Sequence, residues 1–191
     1  MTPYQRKVLS LFRDLKRCER QVVFVVGNRD YLVKEAQLGE TFTQVIEHEA
    51  TVEIAKKKTL LLHGDRINPD DRLYALWHRL SRNGLSNLLV QSMPAGLAQR
   101  LSQNLEEKLA KTNQSYKSGS LPMQHLENLS RRAAQAGAEQ VIVGHFHADT
   151  IVQGKDGVPV IIAPAWLDQR KILVIDDDSD EIRSENPLVL C

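Results

Sequence analysis

Three short apolar runs govern what this chain can fold into: Gln21-Val-Val-Phe-Val-Val-Gly27, Thr59-Leu-Leu-Leu-His63 and Gln140-Val-Ile-Val-Gly144. Runs of this length, bounded by glycine or polar residues, read as strands. The first lacks polar alternate positions, the pattern of a strand buried on both faces of a helix-flanked sheet. Each run leads into a polar, glycine-containing segment. These are Gly27-Asn28-Arg29-Asp30, His63-Gly64-Asp65 and Gly144-His145-Phe146-His147. Open α/β sheets build their sites on loops just past strand C-terminal ends.

The remaining segments fit around such a sheet. Tyr4 to Arg20 carries helical periodicity, with Val8, Leu11, Phe12 and Leu15 on one face and Pro3 suited to the first turn. Thr51-Val-Glu-Ile-Ala55 alternates like a strand, and Lys56-Lys-Lys58 reads as a solvated hairpin tip. Residues 71–137 read as helical, with Leu97, Leu101, Leu105 and Leu109 recurring every four residues. Val158-Pro-Val-Ile-Ile-Ala163 is a further strand, joined to the Gln140–Gly144 run by a hairpin turn at Lys155-Asp-Gly157. Lys171-Ile-Leu-Val-Ile175 is the last strand, and the tail from Asp176 to Cys191, acidic and then weakly apolar, is expected to be loose at its end. This order predicts one domain over residues 1–191, an α/β sandwich with a helical insertion over 71–137.

Charge and composition narrow the function classes. Lys and Arg number 25 against 24 Asp and Glu, a net charge of +1, which argues against a nucleic-acid partner. No apolar run approaches the ~18 residues of a membrane span. Charges interrupt the first twenty residues, so no signal-peptide core is visible. Cys18 and Cys191 are far apart and read as free thiols, so a cytoplasmic setting is expected.

The chemistry concentrates at the three strand ends. Histidines two apart on an extended segment point the same way, which would bring His145 and His147 to one site. Asn28 adds an amide oxygen and His63 a third imidazole. Such a nitrogen and oxygen set suits Mn, Fe or Zn without choosing among them. Gly-Asn-Arg-Asp has a plainer reading as a turn, since Asn and Asp favour turns, a lone His-Gly-Asp is likewise weak, and the His-X-His pair has a plainer reading as a structural pair. Their joint occurrence at strand ends favours a metal site. His48, His78 and His125 read as ordinary surface or packing histidines.

Gly-Asn-Arg-Asp, His-Gly-Asp and Gly-His-X-His together resemble the calcineurin-like metallophosphoesterases. Within that superfamily the chain is most similar to the UDP-2,3-diacylglucosamine diphosphatase branch of the lipid A pathway. Arg29 in place of the more usual histidine points there. So do Asp70-Asp71-Arg-Leu-Tyr74 after His63, and Lys111-Thr-Asn113-Gln-Ser-Tyr-Lys117 in the insertion. The resemblance implies a metallophosphoesterase-type sandwich whose helical insertion forms a cap. It implies two Mn²⁺ ions, with Asn28, His63 and His145 on the second ion and His147 on the first. Arg29 would hold a substrate phosphate, His145 would also touch the scissile phosphate, and Asp71, Asn113 and Lys117 would contact substrate. The last two could equally belong to a solvated interhelical loop.

The superfamily pattern also has a strand with Asp-X-His and another with Gly-Asp-X-X-Asp, whose first Asp bridges the metals. Residues 1–20 contain neither. The resemblance therefore implies an N-terminally truncated form of the fold, a fragment rather than a degenerate copy. Without the bridging carboxylate, this chain alone is expected to be inactive or nearly so. The implied reaction is hydrolysis of UDP-2,3-diacylglucosamine to UMP and lipid X, by an enzyme peripheral to the inner membrane. Arg79, Arg82, Arg100 and Lys108 are available for an anionic surface, and the leucine rows could line an acyl groove or simply pack together. The alternatives are a phosphoesterase for soluble phosphomonoesters or phosphodiesters, and a non-catalytic remnant acting as an interaction module.

Overall fold

A computed structural model describes residues 3–28, 30, 38–67, 121–179 and 181–187. It is mixed α/β. The first helix, α1 (Pro3–Arg17), precedes β1 (Val23–Val25), β2 (Gln44–Ile46), β3 (Glu49–Ile54) and β4 (Lys57–Leu62). Helix α2 (Met123–Gln135) leads into β5 (Gln140–Val143), β6 (Thr150–Val152) and β7 (Val160–Ile162). A short helix α3 (Trp166–Gln169) is followed by β8 (Ile172–Ile175) and β9 (Ile182–Glu185).

Five strands form the main sheet in the order β3-β4-β5-β7-β6. Strands β4, β5 and β7 run parallel, and β3 and β6 are antiparallel edges. Parallel strands need a crossover, and α2 lies on the one between β4 and β5. Its Leu126, Leu129 and Ala133 bury against Leu60, Val141, Val143, Val152, Val160 and Ile162. Those strand residues alternate, so one sheet face makes this core. Of the 71–137 range, only residues 121–137 are described, and there the helix packs on the sheet.

One buried polar pair sets the register that matters most. Thr59 lies opposite Gln140 across β4 and β5. The Gln140 Nε2 donates to Thr59 Oγ1 at 2.8 Å, and both residues are almost fully buried. A slip would leave a buried amide unpaired, at about 1–3 kcal/mol. The same register places Leu62 opposite Val143, so His63 and Gly144 leave the sheet side by side.

Several expectations need correction. The β3–β4 turn is Ala55-Lys56 alone, both at positive φ (49° and 61°), and Lys57 and Lys58 belong to β4. A two-residue loop with both residues left-handed matches the twist of the flanking strands. Lys56→Gly is therefore expected to stabilise the fold by about 0.5–1 kcal/mol, the relief of left-handed strain less glycine's added chain entropy. The exposed contact of Lys56 Nζ with Asp177 O at 3.2 Å adds little. Denaturant unfolding measures the change, and a loss of stability would show that this contact outweighs the strain.

The Lys155-Asp-Gly157 turn joins β6 to β7, whereas the strands Gln140–Val143 and Val160–Ile162 run parallel. The acidic tail holds a strand that the sequence reading did not name: β9 pairs antiparallel with β8, and the tail's last four residues lie outside the described ones. Strand β1 is half-buried, not buried on both faces, and pairs in parallel with β2. Phe42 joins β1 to α1, its ring 4.9 Å from Phe24 and 5.5 Å from Phe12. Leu11 and Leu15 remain exposed, so the apolar face of α1 is covered only in part.

Candidate metal centre

Three turns meet where β1, β4 and β5 end. Glycine at two of them lets backbone and ring approach closely. A Cβ on Gly27 would lie 3.1 Å from the His63 ring, and one on Gly144 would lie 3.5 Å from the His63 carbonyl oxygen. The Asn28 turn thus lies directly against His63. The His63 and His145 rings are 5.3 Å apart at 74°.

Asp30 closes the first turn upon itself. Its carboxylate accepts from the Gly27 N–H at 2.8 Å, and its own N–H donates to the Gly27 carbonyl at 3.2 Å. Asp30 thus ties Gly27 to the far end of the turn that carries Asn28, a role the sequence reading did not assign.

His63 is half-buried, and its Nε2 is buried without a hydrogen-bond partner. Burial lowers its pKa, opposed by the negative charges of Asp65 and Asp30 and assisted by His147. The ring is therefore neutral near pH 7 and keeps a lone pair, the form that binds metals. An orphaned buried polar atom needs a reason, and a lone pair kept for a cation is one. The donors that meet here are imidazole nitrogen and oxygen, a set that fits a borderline divalent ion. Among the described residues, no three His, Cys, Asp or Glu side chains gather closely enough to enclose an ion by themselves.

The Gly-His-Phe-His segment departs from its expected conformation. It is not an extended continuation of β5. His145, His147 and Asp149 all take left-handed backbone, at φ 60°, 55° and 44°. Each such residue costs about 1–2 kcal/mol, and strain of this kind persists only where surroundings over-determine it. Phe146 and Ala148 pack against the sheet core. Asp149 accepts from Lys171 Nζ at 2.8 Å and from the Ser184 hydroxyl, tying the loop to the β8–β9 hairpin. The His147 Nδ1 lies 2.9 Å from the Asp168 carboxylate on α3. His145 lies beside His63, while His147 pairs with Asp168 on α3.

Sequence reasoning missed Asp30, Asp149 and Asp168. For Asp168 a signal existed, since it follows β7, a parallel neighbour of β5, at the same sheet edge. Arg29, Asp71, Asn113 and Lys117 lie outside the described residues.

Comparison with known proteins adds a second line. Over 186 residues the chain is 24% identical to a UDP-2,3-diacylglucosamine hydrolase of Pseudomonas fluorescens Pf-5, covering 95% of this chain and 74% of that protein. The chain is similar to UDP-2,3-diacylglucosamine hydrolases. Another relative of that name, from Pseudomonas putida F1, is 25% identical over 185 residues, 95% of this chain and 77% of its own. A third, from Shewanella sp. MR-7, is 24% identical over 178 residues, 92% of this chain and 74% of its own. No protein-family model matches the chain.

Proposed function

We propose that this chain belongs to a Mn²⁺-dependent hydrolase of the metallophosphoesterase type that splits the phosphoric anhydride of UDP-2,3-diacylglucosamine, giving UMP and lipid X. The observation that carries the reading is the buried, unpartnered His63 Nε2 beside the His145 ring where three strand-end turns meet. Likeness to named hydrolases over about 95% of the chain supports the substrate.

In this reading Asn28, His63 and His145 hold one cation and His147 a second. The cations would polarise the phosphoryl oxygens and acidify the attacking water. His63 enters as a neutral donor because burial keeps it unprotonated. Asp30 fixes the turn that presents Asn28. Arg29 would grip a phosphate with its fork of donors, where lysine offers only a point charge. Asp71, Asn113 and Lys117 would contact the rest of the substrate. A diacylated substrate places the protein at the cytoplasmic face of the inner membrane. Among the described residues, no helix is long and apolar enough to cross a membrane.

None of the proposed donors Asn28, His63, His145 and His147 is a carboxylate that could bridge two cations. The 191-residue chain is therefore expected to bind Mn²⁺ but to turn over slowly or not at all. Calorimetric Mn²⁺ titration and UMP release from UDP-2,3-diacylglucosamine test this together, with an aryl phosphate as comparison. The expected result is Mn²⁺ binding weakened at least ~10-fold in His63→Ala and in His145→Ala, and any UMP release lost in both. A chain that binds no Mn²⁺ overturns the reading. Preference for the aryl phosphate would shift it to a soluble phosphomonoester.

A further inference from the structure

We infer that Asp168 is the positioning residue for His147, accepting its Nδ1 proton and so leaving Nε2 as the nitrogen that coordinates a divalent cation. The inference rests on the metal-centre reading above and deepens it.

The argument starts from the imidazole. A neutral histidine carries one N–H, and a carboxylate can only accept. At 2.9 Å from Asp168 Oδ2, the proton must sit on Nδ1. The lone pair then belongs to Nε2. Histidines that ligate metals commonly turn their other nitrogen to a carboxylate in this way, which fixes ring orientation and raises ligand basicity.

Helix α3 is built to hold that carboxylate still. The Ala165 N–H donates to Gln169 Oε1 at 2.8 Å, and the Gln169 N–H donates back to the Ala165 carbonyl at 2.8 Å. Arg170 ends the helix in left-handed backbone, and its guanidinium lies 5.7 Å from the Trp166 ring centroid. On the other side, Asp149 anchors the His147 loop to Lys171. Both ends of the His147–Asp168 contact are therefore fixed, although the pair itself is only partly shielded, with side chains 36% and 40% exposed. No residue of α3 itself is buried in the core.

The test combines a spectroscopic and a binding readout on the whole chain. Two-bond ¹H–¹⁵N correlations of the metal-free protein report the His147 tautomer, and calorimetry reports Mn²⁺ affinity. The wild type is expected to show Nδ1–H at His147. In Asp168→Ala that signature is lost and Mn²⁺ binds ~10–100-fold more weakly. Asp168→Asn, whose amide oxygen can still accept, should restore part of both, and it serves if the alanine variant folds poorly. His63→Ala is the control for the centre itself. Wild-type binding that His63→Ala weakens and Asp168→Ala leaves unchanged would overturn the positioning role alone. A wild type that binds no Mn²⁺ would remove the centre and this role with it.

Discussion

Gly64→Ala is expected to destabilise the protein by about 3 kcal/mol and to pull the His63 and His145 turns apart. Two independent penalties meet at this residue. Its φ is +105°, beyond the left-handed well that an L residue can tolerate. An added Cβ would also lie 2.5 Å from Val143 Cγ2, in a residue with no exposed surface. Overpacking a filled core typically costs about 1–3 kcal/mol, and the backbone strain adds to that. For a chain of this size the midpoint should fall by roughly 10 °C. The same Cβ would come 3.4 Å from the His145 Cβ, so the site is disturbed along with the core. The double variant Gly64→Ala/Val143→Ala separates the two penalties. Removing the valine methyls relieves the clash but not the φ, so the double variant should be less unstable than the sum of the singles. Additivity to within about 0.5 kcal/mol would show that the clash is not real.

His63→Leu should move two measurements in opposite directions. In metal-free protein the variant loses a buried nitrogen that has no partner. Leaving such a group unsatisfied costs about 1–3 kcal/mol, so an apolar replacement is expected to raise stability by about 1 kcal/mol, allowing for the lost contact with the His145 ring. Added Mn²⁺ reverses the order. A ligand at a hundred times its dissociation constant stabilises the folded wild type by about 2.7 kcal/mol, and the variant should gain little. Thermal unfolding with and without Mn²⁺ reads both effects. A variant less stable without metal, yet equally stabilised by it, would mean that His63 is a packing residue. A residue that weakens the empty fold and strengthens the loaded one is what a binding site predicts.

Much of this arrangement was legible in the amino-acid order. Valine-rich runs stopped by glycine mark β1 and β5 because such residues fill a buried pleat and glycine frees the exit. The order of turns along the chain likewise marks His63 and Gly144–His147 as residues that leave the sheet. The pairing of β8 with β9 was not legible. Ile182-Arg-Ser-Glu185 has a single apolar residue, and its strand character is supplied by the partner. Nor was the left-handed path of His145, His147 and Asp149, since none of them is glycine and the anchors that impose that path are distant in sequence.

The amino-acid sequence by itself determined that the segments of β1, β3, β4, β5, β7 and β8 become strands, which residues follow them, and hence which side chains are candidates for a cation. Those depend on local periodicity and on the conformational freedom of individual residues. Only the tertiary structure decided which candidates meet. The buried Thr59–Gln140 pair sets the register that puts His63 beside Gly144. The contact of Asp168 with His147, 21 residues apart, ties that imidazole to α3, on a left-handed backbone that no extended strand would have. Contacts of this separation arise from chain packing, and no local pattern in the sequence encodes them.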